Sequence, residues 1–287
     1  GIGAELIAQI NENLFDYLSS LYIPKSYKNM YNTVHDLEKI MSTLRSPSGC
    51  DWDKKQTHQS LKKYVIEEAY ELYQAIDNDD TDEVIEELGD ILLQVIFHCQ
   101  IGQQEGYFDL KEVVNGICTK LIHRHPHVFN NADIDMDTFE KTWEELKQQE
   151  KGESSITDGL KRIPKYLPAL IKAEKIQYKA ALVGFDWDNI EDVFKKIEEE
   201  YKELLDECKV GNIKYIREEL GDLLFSIVNL ARFLKVDPEE ALNCTSQKFI
   251  NRFEFMEQSA KNLNRNFGEM TLKEKDELWN KAKDNKL

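Results

Sequence analysis

Six carboxylates on two short stretches carry the chemistry for which this chain is best equipped. Glu199, Glu200 and Glu203 lie in KIEEEYKELLDECKV (196–210), and Glu218, Glu219 and Asp222 lie in IREELGD (216–222). On a helical wheel, Glu200 and Glu203 sit at the rim of an apolar arc formed by Ile197, Tyr201, Leu204 and Leu205. Glu219 and Asp222 hold the same relation to Leu220, Leu223, Leu224 and Ile227. If the two arcs pack antiparallel, both acid pairs line one seam. Like charges one helical turn apart cost roughly 0.2–0.5 kcal/mol per pair, so a cation is expected between them. A lone Glu-rich helix is usually a solvated face. Here the acids flank the apolar arc, and Gly221 interrupts a helical pattern at a cost of about 1 kcal/mol against Ala, which predicts close approach by a backbone or ligand.

The elements that position these acids occur twice. Glu67, Glu68, Glu71, Glu86, Glu87 and Asp90 repeat the layout at a constant offset of 132 residues (Glu67 to Glu199, Glu86 to Glu218, Asp90 to Asp222). A repeat held over that distance means two copies of one domain. Lys120 and Arg124 are answered by Lys248 and Arg252, Trp143 and Lys147 by Trp279 and Lys283, and Asp51-Trp52-Asp53 by Asp186-Trp187-Asp188. Helical spacing runs from Tyr27 to Leu44 and stops in the turn-forming SPSG at 46–49, and Thr57 can cap the next helix. The polar KQQEKGESS (147–155) separates the copies. The expected layout is a leader over 1–26, a first domain over 27–150 and a second over 151–287. The copies diverge after the basic pair, with 19 residues from Arg124 to Trp143 and 27 from Arg252 to Trp279.

Composition narrows the partners. Of 287 residues, 41% are hydrophobic and 32% charged, and six Pro and 13 Gly argue against turn-rich β architecture. The formal net charge of −17 excludes a nucleic-acid polymer or an anionic membrane as partner, because phosphate neutralisation needs a basic surface. A small phosphate ligand bridged by metal ions remains open. Cys50, Cys99, Cys118, Cys208 and Cys244 form no CxxC pair and read as reduced cytosolic thiols, mostly core filler. No apolar run reaches 18 residues, and the expected location is the cytoplasm.

Carboxylate oxygens are hard ligands suited to Mg²⁺ or Mn²⁺, and Mg²⁺ typically works between carboxylates and substrate phosphates. A Lys and an Arg on one helix face hold phosphate oxygens, and a Trp offers a plane for a base. Together these describe a metal-dependent site for a nucleotide polyphosphate. His123, His125 and His127 have no Cys or carboxylate at ligand spacing beside them, which points to structural or surface roles rather than zinc. A di-iron carboxylate bundle needs Glu-x-x-His, which the chain lacks.

EExxE followed by EELGD, in both copies, resembles the MazG-type nucleoside triphosphate pyrophosphohydrolases. LRSPSGCDWDKKQT, KLIHRHPHVF and KIQYKAALVGFDWD are similar to segments of that family's two-domain members. The resemblance covers about residues 30–287. It implies an all-α fold of two tandem homologous helical-bundle domains, assembled as a homodimer. It also implies Mg²⁺-dependent cleavage of nucleoside triphosphates to monophosphate and pyrophosphate. Glu200, Glu203, Glu219 and Asp222 would be metal ligands, with Glu68, Glu71, Glu87 and Asp90 their counterparts in the first copy. Lys248 and Arg252 would hold phosphates, Trp279 would contact the nucleotide, and Lys196 and Lys283 would join them at the substrate. Glu199 or Glu218 would orient water, and the second copy is the expected seat of hydrolysis. The leader, ending LYIP, resembles the junction in members fused to a tetrapyrrole methylase domain. The alternatives are a regulatory module that binds nucleotide without turnover and a metal-free helical scaffold.

Overall fold

Helices supply every α or β element in the computed structural model, which describes residues 33–130, 139–152 and 155–285. The expected leader, and the start of the helix expected at Tyr27, lie outside the described residues. Contacts divide the chain into two units, residues 1–131 and 132–287.

The first unit runs through α1 (Val34–Leu44), α2 (Asp51–Lys55), α3 (His58–Asp77), α4 (Thr81–Glu105), α5 (Leu110–Arg124) and α6 (Pro126–Phe129). Thr57 caps α3 as expected, in a reciprocal box with Ser60. The 46–49 turn folds back on α1, with the Cys50 N–H donating to the Leu44 carbonyl at 2.8 Å. A Cβ at Gly49 would stand 2.1 Å from that carbonyl oxygen, so only glycine fits. Arg45 fastens the turn by donating to the carbonyls of Asp53 and Gln56, while its guanidinium lies over the Phe97 ring. Met41, Leu61, Ile96, Phe97 and Ile101 form the core beneath, with Tyr64 packed against it. Truncating Leu61 to Ala there would cost about 2–5 kcal/mol.

The second unit runs through α7 (Phe139–Glu150), α8 (Ile156–Lys161), α9 (Ala169–Ala181), α10 (Ile190–Val210), α11 (Ile213–Leu234), α12 (Pro238–Asn262), a 3₁₀ turn (Phe267–Glu269) and α13 (Leu272–Asp284). Gly211, at φ +79°, ends α10, and the Asn212 side chain accepts from the Lys214 N–H to start α11. That short reversal makes α10 and α11 the closely packed pair of this unit, as α3 and α4 are of the first. Met256, Ala260, Met270 and Leu278 form a second core where α12 meets α13. The sequence repeat assigned residues 139–150 to the first copy. In the structure α7 belongs with the second unit, where the buried Glu144 carboxylate accepts from Lys147 at 2.6 Å and Lys179 of α9 at 3.1 Å.

Two expectations are corrected. The apolar arcs are only partly covered within the chain: Tyr201, Leu205, Leu220, Leu224 and Ile227 stay exposed, as do Tyr73, Leu88, Leu92 and Val95 in the first unit. A helix pair buries the ridge between its axes, which is narrower than the arc. The cysteines are not core filler, because only Cys99 is buried.

Candidate functional site

The seam between α10 and α11 gathers the acids that the wheel placed on its rim. Oxygens of Glu200, Glu219 and Asp222 lie within 4.8 Å of one another, and those of Glu199, Glu200 and Glu203 form an overlapping group. Glu200 is the deepest, 5% exposed. The Glu219 carboxyl is pushed above its ordinary range by desolvation first, then by the charges of Glu203, Asp222, Glu200 and Glu207. Lys196 answers part of this charge, its ammonium 2.6 Å from Glu200 and 2.9 Å from Glu199. Hydrogen bonds to those two acids raise the Lys196 pKa.

The first unit repeats the arrangement between α3 and α4, with oxygens of Glu68, Glu71 and Glu87 within 4.8 Å. Burial raises the Glu68 pKa, and the charges of Asp90, Glu71 and Glu87 raise it further. Glu87 is raised for the same reasons, by desolvation and then by Glu71 and Asp90. Its Oε2 is buried with no hydrogen-bond partner. A set of hard oxygen donors, mutually repelling and with one oxygen orphaned, fits a hard divalent cation.

The sequence reading missed a further acid in the second seam. Glu207 lies two turns beyond Glu200 on the same face of α10, its charge acts on Glu219, and its Oε2 is buried and unpartnered. The wheel could have found it. The first copy has Ala75 at the matching position and carries its extra acid on the opposite helix, as Glu83, where the second copy has Tyr215.

The basic and aromatic candidates form a group of their own on α12 and α13. The Arg252 guanidinium lies over the Trp279 ring, 5.4 Å from its centroid, and Phe249 packs against the same indole at 5.1 Å. Lys248 and Lys283 are exposed on the same two helices. The packing of α12 is mainly with α13. Glu218 stands apart from the acid groups, exposed and 3.9 Å from Lys214. Gly221 does not meet the expected backbone: among the described residues nothing would lie within 4 Å of a Cβ there, and Gly89 is equally open. In the first copy Lys147 is engaged by Glu144, and the His125 ring nitrogen contacts the Leu121 carbonyl at 2.7 Å, in keeping with a structural role.

Comparison with known proteins decides the family. The model of the MazG nucleotide pyrophosphohydrolase domain matches residues 56–129 and 189–255, the two segments that hold the acid seams. The nucleoside triphosphate pyrophosphohydrolase/pyrophosphatase MazG of Thermotoga maritima is 49% identical over 248 residues, covering 86% of this chain and 94% of that protein. The chain belongs to the MazG family. The nucleoside triphosphate pyrophosphohydrolase of Escherichia coli K12 is 38% identical over 257 residues, 88% of this chain and 97% of its own. The uncharacterised protein YabN of Bacillus subtilis is 48% identical over 273 residues, which span 93% of this chain but 55% of YabN. As a MazG member the chain is an enzyme, and its tandem helical units accord with the two matched segments. No helix among the described residues is long and apolar enough to cross a membrane.

Proposed function

We propose that this protein hydrolyses nucleoside triphosphates to nucleoside monophosphate and pyrophosphate at the second unit's acid seam, with Mg²⁺ (or Mn²⁺) as cofactor. The observation that carries the reading is the convergence of Glu199, Glu200, Glu203, Glu219 and Asp222, with the buried Glu200 at its centre. Glu200, Glu203, Glu219 and Asp222 are the residues to hold the metal. When bound, it neutralises phosphate charge and activates water for attack on the α-phosphorus, with pyrophosphate leaving. Glu199, part of the same carboxylate group, orients that water. Asp222 on α11, and Lys248 to Arg252 on α12, lie roughly 15–21 Å along their helices from the turn that joins them, so acids and cations stand at similar heights. Arg252 then clamps phosphate oxygens as a fork, and Trp279 offers the nucleotide an indole face.

The exposed apolar arcs support a homodimer, because a second copy laid on them removes from water side chains that a single chain leaves wet. Free thiols and a strongly negative surface suit a cytoplasmic enzyme. The test is product analysis with a panel of triphosphates and Mg²⁺. Monophosphate with pyrophosphate is expected. Diphosphate with orthophosphate, or tight binding without turnover, would overturn the proposal.

A further inference from the structure

One cation already stands in the second seam. Lys196 precedes Glu200 by four residues, the order in which a Lys–Glu pair gives an isolated helix least. Helix propensity therefore does not explain the contact. The Glu200 side chain is only 7% exposed, and a carboxylate so buried needs a partner when no metal is bound. The same ammonium also holds Glu199. The first copy has Tyr64 at the matching position, and that ring is packed against the Met41–Leu61 core instead.

We propose that Lys196 is the resident counter-cation of the second acid cluster, holding Glu200 until a divalent metal displaces it and then turning to a substrate phosphate oxygen. The inference rests on the metal-binding reading of this seam and deepens it. Lysine and metal compete for one carboxylate, so metal binds weakly until nucleotide arrives to accept the freed ammonium. The first seam lacks a lysine at that position and has no such coupling. A side chain that only pads the surface would produce neither effect.

The experiment uses the full chain carrying Glu71→Gln, which disables the first seam, and titrates Mn²⁺ calorimetrically without nucleotide. Lys196→Met should bind Mn²⁺ about tenfold more tightly, the scale of one charge-assisted hydrogen bond removed from the competing side. Lys196→Arg should stay near the parent chain, and so should Lys195→Met, which removes an equal charge from an exposed ion pair with Asp192. A nucleotide KM raised about tenfold in Lys196→Met should accompany the tighter metal binding. A second readout needs no variant: reductive methylation of Lys196, followed by mass spectrometry, should quicken when Mn²⁺ frees the amine. Unchanged Mn²⁺ affinity in Lys196→Met, an equal shift in Lys195→Met, or methylation indifferent to Mn²⁺ would overturn the proposal. Absence of Mn²⁺ binding by the parent chain would instead overturn the metal reading beneath it.

Discussion

Adding Mg²⁺ to the metal-free protein should stabilise it by an amount that follows from linkage. At a concentration one hundred times the dissociation constant, one site gains about 2.7 kcal/mol. The second unit spans residues 132–287. For a domain of that size each kcal/mol moves the melting temperature by roughly 2–4 °C, so a rise of about 5–10 °C is expected. Glu219→Gln removes a carboxylate that is already destabilised by desolvation and by Glu203, Asp222 and Glu200. Its metal-free melting temperature should therefore rise, and its Mg²⁺ response in the second unit should shrink by more than half. Differential scanning calorimetry with and without Mg²⁺, at ionic strength matched with Na⁺, separates binding from screening. An equal Mg²⁺ response in both proteins, or one that Na⁺ reproduces, would refute the reasoning.

The remaining predictions follow from single contacts. Arg252→Lys keeps the charge but loses the planar fork over Trp279, so the KM for nucleotide should rise while Mn²⁺ affinity stays; unchanged kinetics would take Arg252 out of the site. Gly221→Ala should stabilise the chain by about 1 kcal/mol in urea denaturation, because its Cβ meets nothing within 4 Å; a loss would show another molecule lying against α11. Burial pushes the Glu144 pKa up, but hydrogen bonds from Lys147 and Lys179 outweigh it and leave the acid below its ordinary value. Its contribution to stability is therefore present above the ordinary carboxylate range and lost as pH falls through the lowered value. Amide exchange of α7 should quicken on acidification, and less so in Glu144→Gln. Finally, Glu203→Ala should abolish pyrophosphate release while Glu71→Ala leaves much of it, measured on chains whose circular dichroism is intact; the reverse ranking would move the working site to the first unit.

Much of this molecule was legible because helices obey short-range rules. Thr57 and its capping partner lie within one turn, so the start of α3 could be read locally. The rim position of Glu200 and Glu219 follows from 100° per residue alone. What failed required knowledge of neighbours. The wheel says which residues share an arc but not how much of it another helix covers, so Tyr201 and Leu220 were expected inside and lie outside. The repeat says that Trp143 and Lys147 descend from the same pattern as Trp279 and Lys283, but not which body they pack on. That is decided by Lys179 on α9, a residue outside the repeat comparison. Gly221 was read as a sign of close approach, and among the described residues nothing comes within 4 Å of a Cβ placed there.

The two seams share their acids but not the surroundings of those acids. Charge alone does not separate them, because Glu207 on α10 is balanced by Glu83 on α4. The separation lies in what surrounds the acids. At the position where the second seam has the Lys196 ammonium, the first has the ring of Tyr64, committed to the core. Arg252 stands well inside α12, with helix continuing to Asn262 and Trp279 returned beneath its guanidinium. Arg124 is the last residue of α5, after which Pro126 opens a separate short helix. A proline there fixes the backbone and removes an N–H, so the first copy cannot extend the platform that the second builds. On the proposed reading phosphate capture therefore falls to the second unit although its acids are no more numerous, and the eight additional residues between its Arg and Trp are the length that allows it.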